Sequence, residues 1–238
     1  MKLQLSLNRM RMQMMSIERM MRLLQSELET QIGALAPADV NRFADVPSGL
    51  SRLLQNGETM APRLAEAYKP FADAVWVGLD HEKGSASATV ALKAASEPAA
   101  LGTFRSARLS INPVFPLAEK PGWLTLETDI DLDPLRRARG MRLDLVSFFD
   151  IASRNEVNIA RNVQIGLRRF WEDGNFDDLL NYQMPVSTMP FEHAVTVPDS
   201  TFAELQLDRA HRLSLIFVLP TAGDYTFHMD YLSIKSLG

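Results

Sequence analysis

From about Ser85 to the end of the chain, apolar and polar residues alternate with a period of two, and no helical pattern interrupts them. Leu124 and Leu126, for example, face one way while Thr125 and Glu127 face the other, which is typical of a strand with one buried face. The strand candidates are 86–94, 106–113, 123–132, 141–149, 157–170, 191–197, 213–219 and 225–234. Strands in such number without intervening helices predict two antiparallel sheets packed face to face, most simply a jelly-roll β-sandwich.

A different period occupies the N-terminal segment, where apolar side chains follow one another in alternating steps of four and three residues. They are Leu3, Leu7, Met10, Met14, Ile17, Met21, Leu24 and Leu28. A seam that averages about 3.5 residues per turn keeps one face of a helix against a partner helix. We therefore expect a coiled coil over residues 1–36 that assembles the chain into a homo-oligomer. Leu at a and Ile at d favour a trimer, with a tetramer as the second choice.

The same segment is locally basic and holds seven of the chain's 12 methionines. A basic, Met-rich amphipathic helix also suits a membrane surface or a partner's groove, and this alternative to oligomerisation stays open. Gly33 and Pro37 end the helix, and the spacing of Leu50, Leu53 and Leu54 predicts further amphipathic turns. The predicted organisation is a coiled coil (1–36), a helical neck (37–84) and a β-sandwich (85–238).

Composition excludes several classes of function. The formal net charge of -4 and the pI near 5.6 argue against a nucleic-acid partner, because phosphate recognition needs a basic surface. The chain has no cysteine, so disulfides and thiolate metal sites are absent. No stretch approaches the roughly 20 apolar residues of a transmembrane helix, and the first residues lack a secretory signal. We expect a cytoplasmic protein of bacterial type.

Two segments of the predicted sandwich resemble a known group of folds. The strand order, the entry from Gly122 to Glu127 (GWLTLE) and the closing strand from Asp224 to Ile234 (DYTFHMDYLSI) are similar to galactose-binding-like jelly rolls and carbohydrate-binding modules. The resemblance covers roughly residues 85–238 and depends on the pattern of strands. It implies a lectin-like, non-catalytic role in binding sugars and carries no individual functional residue across.

Four acidic residues, Glu127, Asp129, Asp131 and Asp133, alternate along one predicted strand and would share one face. A pair of such carboxylates suits the acid and base of a glycosidase, and a larger set suits sugar hydroxyls or a divalent cation. The favoured interpretation is a solvated face balanced by cross-strand Arg142 or Arg108. Glu127 and Asp129 remain candidate glycan-binding residues, and Glu127, Asp129 and Asp131 are the candidate residues of an enzyme.

Between residues 172 and 189 the alternation lapses, which predicts a long irregular loop of the kind that often carries a binding site. Trp171, Tyr182 and Asn181 in and beside this loop could stack on a sugar ring and bond its hydroxyls. Core packing is the competing and favoured interpretation for Trp171, and more strongly for Trp123.

The same loop contains alternating oxygen-bearing side chains at Asp173, Asn175 and Asp177, next to a glycine. Calcium is the ion that such a pattern would bind, although an ordinary acidic turn is the favoured interpretation. The four histidines show no metal-ligand spacing, and no nucleophile elbow or phosphate-binding glycine motif occurs.

The sequence therefore predicts an oligomeric, non-catalytic glycan-binding protein, such as an accessory protein of bacterial polysaccharide synthesis. Two alternatives stay open. One is a structural assembly protein, associated with a phage or a cell surface, that binds no small ligand. The other is a glycan-processing enzyme.

Overall fold

The computed structural model describes residues 44–80, 86–94, 107–116, 121–152, 162–197 and 199–238. All of them belong to one unit, Phe43–Gly238. The predicted coiled coil and its eight seam residues from Leu3 to Leu28 lie outside the described residues.

The described residues form thirteen strands and short helices. In chain order these are β1 (Ala44–Asp45), α1 (Gly49–Gln55), β2 (Met60–Leu64), β3 (Pro70–Ala72), β4 (Val75–Leu79), β5 (Ser87–Ala94), β6 (Ala107–Val114), β7 (Leu124–Ile130), β8 (Gly140–Ile151), β9 (Asn162–Phe170), β10 (Phe176–Pro185), β11 (Phe191–Val197), α2 (Asp199–Glu204), a 3-10 turn (Leu207–Arg209), β12 (Arg212–Val218) and β13 (Tyr225–Leu237).

The strands make two antiparallel sheets. Sheet A has seven strands in the order β11-β8-β13-β6-β5-β2, with β1 also paired to β13. Sheet B has six strands in the order β10-β9-β12-β7-β4-β3. The inward side chains of both sheets form one hydrophobic core, which includes Leu109 and Phe227 from sheet A and Leu126 and Phe217 from sheet B. Burying each such side chain stabilises the fold by about 1.5–3 kcal/mol. The two sheets with a shared core confirm the predicted β-sandwich.

Residues 37–84 are not a helical neck. Only α1 is helical in the described part of this range, and β2, β3 and β4 belong to the sheets. The run Val75–Leu79 is buried at every position because β4 has the core on one side and covering residues on the other. A strand buried on both faces shows no alternation, and this is why the pattern was misleading. The sandwich therefore begins well before residue 85.

The predicted loop at residues 172–189 is also wrong, because β10 occupies most of it. This strand lies at the edge of sheet B, where most of its residues are exposed on either face. Its register with β9 shifts between Leu179 and Tyr182. The alternate residues that point inward before the shift are therefore out of step with those that point inward after it. A β-bulge of this kind breaks a period of two, and exposure at an edge removes the apolar signal.

Helix α1 shows how local and distant contacts combine at one end of the sandwich. Ser48 and Ser51 form a reciprocal capping box, in which each backbone N–H donates to the other residue's Oγ at 3.0–3.1 Å. The Leu50 N–H donates to Thr128 Oγ1 on β7 at 2.9 Å. The helix start is thereby fixed against sheet B.

Candidate functional site

The outer face of sheet B, which points away from the core, carries a row of cross-strand neighbours. Trp76 on β4 lies opposite Glu127 on β7, Glu127 lies opposite Ile216 on β12, and Ile216 lies opposite Gly166 on β9. The outward side chains of a sheet that faces water are normally solvated. Here Trp76 is only 9% exposed and Glu127 only 3% exposed, so this part of the face is covered.

Glu127 is held by neutral donors from two strands. Trp76 Nε1 donates to Glu127 Oε2 at 3.1 Å, and Thr125 Oγ1 donates to Glu127 Oε1 at 2.7 Å. The nearest cation is Arg168, whose Nη1 lies 4.0 Å from Glu127 Oε2. The carboxylate is thus fixed in orientation, and it interacts with a guanidinium that also has another partner.

Two exposed aromatic side chains lie beside this carboxylate. Trp123 precedes β7 and is 42% exposed, and Tyr68, in the connection from β2 to β3, is 46% exposed. Trp123 Nε1 donates to Tyr68 Oη at 2.6 Å. The expectation that Trp123 packs in the core is wrong, because its position just outside β7 places the indole at the surface.

A buried carboxylate holds the chain that carries Trp123. Asp80 is almost fully buried and accepts a hydrogen bond from the Gly122 N–H at 2.7 Å. The Asp80 N–H donates to the Trp123 carbonyl at 3.2 Å. The backbone at Trp123 is therefore fixed from both sides, which orders the exposed indole before any ligand arrives.

Arg168 on β9 completes the polar part of the face. Its Nε and Nη2 donate to both oxygens of Asp178 on β10, at 2.7 and 3.0 Å, and its guanidinium lies 4.5 Å from the centre of the Phe176 ring. The hydrogen bonds to Asp178 raise the pKa of Arg168, and the negative charge of Glu127 acts in the same direction. The guanidinium is therefore a permanent charge in a fixed orientation.

The electrostatics of Tyr68 show that these groups converge. Burial raises the pKa of the Tyr68 hydroxyl, the hydrogen bond from Trp123 opposes this rise, and the charge of Glu127 adds to it. The charges of Arg168 and Asp80 act on the same hydroxyl. Tyr68 therefore stays protonated at neutral pH and can donate a hydrogen bond.

At the far end of the same face, guanidinium groups cover the phenyl rings. Arg212 on β12 lies 3.8 Å from the centre of the Phe170 ring, and its Nε is 3.5 Å from Asp129 Oδ1. Ser214 Oγ donates to the same Asp129 oxygen at 2.6 Å. Phe170 and Phe176 thus each have an arginine on one ring face, although Phe176 is still 53% exposed.

The four predicted acidic residues do not form one ladder. β7 ends at Ile130, so only Glu127 and Asp129 share its outer face, while Asp131 and Asp133 lie in the following turn. There the Asp131 carboxylate accepts from the Asp133 N–H at 3.1 Å. The predicted balance by Arg142 and Arg108 is wrong as well, because these pair with Asp144 and Asp230 in sheet A.

The other predicted glycan-binding residues lie away from Glu127. Tyr182 is paired with inward-facing Ile165, and its ring packs 5.2 Å from His193 at the edge of the sandwich. Asn181 lies in the bulge of β10, where its Oδ1 accepts from Gln183 Nε2 at 2.8 Å.

Trp171 follows β9, with the guanidinium of Arg169 3.9 Å from its ring centre. Arg169 is itself buried and faces the core side of sheet B, so Trp171 packs at the core edge.

The predicted calcium ligands form a hydrogen-bonded turn. The Asp173 carboxylate accepts from the backbone N–H and the side-chain amide of Asn175, at 2.9 and 2.8 Å. Asp177 Oδ2 accepts from Arg169 at 2.7 Å and from Trp171 at 2.8 Å, and the bond from Arg169 lowers the pKa of Asp177. In the described part of the chain, no three His, Cys, Asp or Glu side chains are arranged to hold a metal ion.

Sequence analysis missed Tyr68, Trp76 and Arg168 as site residues. Tyr68 and Trp76 fall in the segment that was predicted to be helical, and Arg168 falls in a predicted strand to which no site was assigned. The one available signal was the run Val75–Leu79, whose length and β-branched residues suit a buried strand.

Comparison with known proteins gives a likeness of fold. No family model matches the chain, and no curated protein matches it. Among solved structures, it is similar to a carbohydrate-binding module of family 4, at 12% identity and a TM-score of 0.45, over 78% of this chain and 99% of that chain. It is also similar to the family 30 module of a Clostridium thermocellum cellulosomal cellulase, at 15% identity and a TM-score of 0.42, over 74% and 98% of the two chains.

A third similar structure is the family 11 module from Clostridium thermocellum in complex with a β-1,3-1,4-mixed-linked tetrasaccharide. Its identity is 11% and its TM-score 0.41, over 74% of this chain and 96% of that chain. These similar structures are carbohydrate-binding-module sandwiches, the group of folds that the sequence resembles. None of the helices in the described ranges has the length and hydrophobicity needed to cross a membrane.

Proposed function

We propose that this jelly-roll β-sandwich binds neutral polysaccharide chains through the outer face of sheet B and does not catalyse a reaction on them. The observation that carries the proposal is an exposed Trp123 indole that is bonded to Tyr68, whose hydroxyl in turn interacts with the charges of Glu127 and Arg168. An aromatic ring packs on the apolar C–H face of a pyranose, and fixed donors and acceptors at its rim bond the hydroxyls.

The charges of the site favour an uncharged ligand. Among the described residues of this face, the three carboxylates of Glu127, Asp129 and Asp178 outnumber the two guanidiniums of Arg168 and Arg212. Both arginines are already engaged with carboxylates. A uronic acid would bring a further negative charge to an acidic face, which is unfavourable at short range. Neutral glucans and xylans meet no such repulsion.

The arrangement of Glu127 supports binding more than catalysis. Both of its oxygens already accept hydrogen bonds from protein donors, so the carboxylate has a fixed orientation in which it accepts from a ligand hydroxyl. The other two candidates for catalysis are engaged elsewhere, Asp129 with Ser214 and Asp131 with the following turn.

We further propose that the chain acts as a homo-oligomer, a trimer first, through its N-terminal heptads. Joining several weak sites raises avidity through effective concentration without any new contact. A role as an accessory protein of polysaccharide synthesis on the cytoplasmic side of a bacterial cell is the context that this combination fits. Light scattering of the full chain tests the oligomeric state.

Affinity electrophoresis through gels that contain xylan, mixed-linkage β-glucan or alginate tests the main proposal. We expect retardation in the neutral gels and none in alginate. Trp123→Ala should weaken the interaction about tenfold, which corresponds to about 1.4 kcal/mol. The matched control is Tyr182→Ala, an exposed aromatic residue on another part of the sandwich, which should bind like the wild type. A folded wild-type protein that no gel retards would overturn the proposal and favour the structural assembly role.

A further inference from the structure

The Tyr68 side chain covers a patch of polar residues on the outer face of sheet B. Glu127 and Thr125 point away from the core, yet both are buried. A β-carbon placed on Gly78, the neighbour of Thr125 on β4, would lie 3.0 Å from Tyr68 Cε1, 3.0 Å from Glu127 Oε1 and 2.2 Å from Thr125 Oγ1. The Tyr68 ring therefore lies directly above Gly78 and covers the two polar side chains.

The groups beneath the ring are costly to bury. Glu127 contributes a carboxylate whose nearest cation, Arg168, is 4.0 Å away and is shared with Asp178. A charged group removed from water costs stability unless it is closely paired, and an apolar side chain at this position would avoid that cost. What the patch offers instead is an oriented acceptor, Glu127, with the guanidinium of Arg168 as a donor 4.0 Å away. Two neighbouring hydroxyls of a sugar match this arrangement.

The cover itself is lightly attached. Tyr68 has a φ of +58°, in the left-handed region that is unfavourable for a residue with a side chain. Its backbone N–H donates to the Val77 carbonyl at 2.8 Å, and its hydroxyl accepts from Trp123, which is itself exposed. Rotation of the Tyr68 side chain would break the bond to Trp123 and leave the backbone contact with Val77 in place.

We propose that the floor formed by Gly78, Thr125 and Glu127 is a second sugar subsite and that the Tyr68 ring is its lid. This inference depends on the proposed function and adds an inner position to it. In the closed state the Tyr68 ring occupies the place that a sugar ring takes in the open state. Opening exposes the Glu127 carboxylate and frees the Trp123 indole N–H, so each can bond a ligand hydroxyl.

The test compares five variants with the wild type in calorimetric titrations with xylan and mixed-linkage β-glucan. Tyr68→Gly removes the lid and suits the positive φ, and Tyr68→Phe keeps the ring but loses the bond to Trp123. Tyr182→Phe is the matched control for loss of a hydroxyl. Glu127→Gln is made in the wild type and in Tyr68→Gly, and urea unfolding establishes that each variant is folded.

We expect Tyr68→Gly to bind at least threefold more tightly than the wild type, and Tyr68→Phe to lie between them. In the Tyr68→Gly background, Glu127→Gln should weaken binding about tenfold, because a charged acceptor is replaced by a weaker, neutral amide oxygen. The tryptophan fluorescence maximum should shift on binding in the wild type, as Trp76 and Trp123 change their surroundings.

Two results would overturn the inference in different ways. If Tyr68→Gly binds more weakly than the wild type and Glu127→Gln has no effect in either background, the lid is wrong while a surface site at Trp123 stands. If neither the wild type nor Tyr68→Gly binds any neutral polysaccharide, the lid and the proposed function both fall.

Discussion

Gly78→Ala is the substitution whose cost follows most directly from the geometry of the site. Gly78 lies within β4, so the change adds only a methyl group to a strand residue. That methyl would lie 2.2 Å from Thr125 Oγ1, which must rotate away. Rotation breaks the 2.7 Å hydrogen bond from Thr125 to Glu127, and the Tyr68 ring at 3.0 Å must also shift.

The magnitude follows from these two changes. A hydrogen bond to a charged group contributes about 1.5–3 kcal/mol, and overpacking of a close contact costs about 1–3 kcal/mol. Both arise from the same displaced hydroxyl, so they overlap. We expect a loss of about 2 kcal/mol in the free energy of unfolding, and a melting temperature lower by about 4–8 °C for a domain of this size.

Urea unfolding measures this loss as a lower midpoint at an unchanged slope. The matched control is Gly166→Ala on the same face, where a β-carbon would lie 3.3 Å from the Leu180 carbonyl oxygen and meet no polar side chain. Its effect should stay within about 1 kcal/mol, since the gain from a less flexible unfolded chain offsets the tight contact. In a Thr125→Ala background, Gly78→Ala should cost little. Equal stability of Gly78→Ala and the wild type would refute the placement of Tyr68 and Thr125 over Gly78.

Three other perturbations test other parts of the described fold by the same unfolding assay. Tyr225→Phe should cost about 1–2 kcal/mol, because it leaves the buried Pro220 carbonyl without its hydroxyl donor. Arg169→Met should cost about 1–3 kcal/mol, through the lost bonds to the Leu205 carbonyl and Asp177. Burial lowers the pKa of both His193 and His228, so the unfolded chain binds protons that the folded chain does not as the pH falls through about 6.5. The free energy of unfolding should therefore decrease from pH 7.5 to 5.5, and replacement of both histidines by Asn should remove this decrease.

The sequence predicts the strands that have one wet and one dry face. β6 and β9 are examples, because buried and more exposed residues alternate along most of each strand and the structure confirms both. β4 and β10 were missed for opposite physical reasons. The first is covered on both faces, and the second is exposed on both sides of a bulge. In neither case does a period of two remain in the sequence.

The site was harder to predict than the fold, because it depends on register between strands far apart in the chain. Nothing in the sequence shows that Trp76 lies opposite Glu127, or that Arg168 comes within 4.0 Å of the same carboxylate. Glu127 was identified only from the spacing of acidic residues along a strand. The arginines that were predicted to balance it, Arg142 and Arg108, pair with carboxylates of sheet A instead. Trp123 was assigned to the core because a tryptophan beside a strand is usually buried, and the exception here is the functional candidate.

The outer faces of the two sheets provide the strongest argument that the polar groups on sheet B serve a ligand. On sheet A, Arg108 forms a bidentate ion pair with buried Asp230, and Ser110 is hydrogen-bonded to His228 at 2.9 Å. Phe148 is packed against both Arg108 and His228. These groups satisfy one another, so the stability of the fold explains them.

On the outer face of sheet B, the charged and aromatic groups are less completely paired with one another. Glu127 has neutral donors and a shared cation at 4.0 Å, and Trp123 keeps an exposed ring on a fixed backbone. A sheet selected for stability alone would place a closer cation or an apolar residue where Glu127 lies. The groups that the fold leaves incompletely matched are an acceptor, Glu127, and an aromatic face, Trp123, and both are groups with which proteins bind neutral sugars.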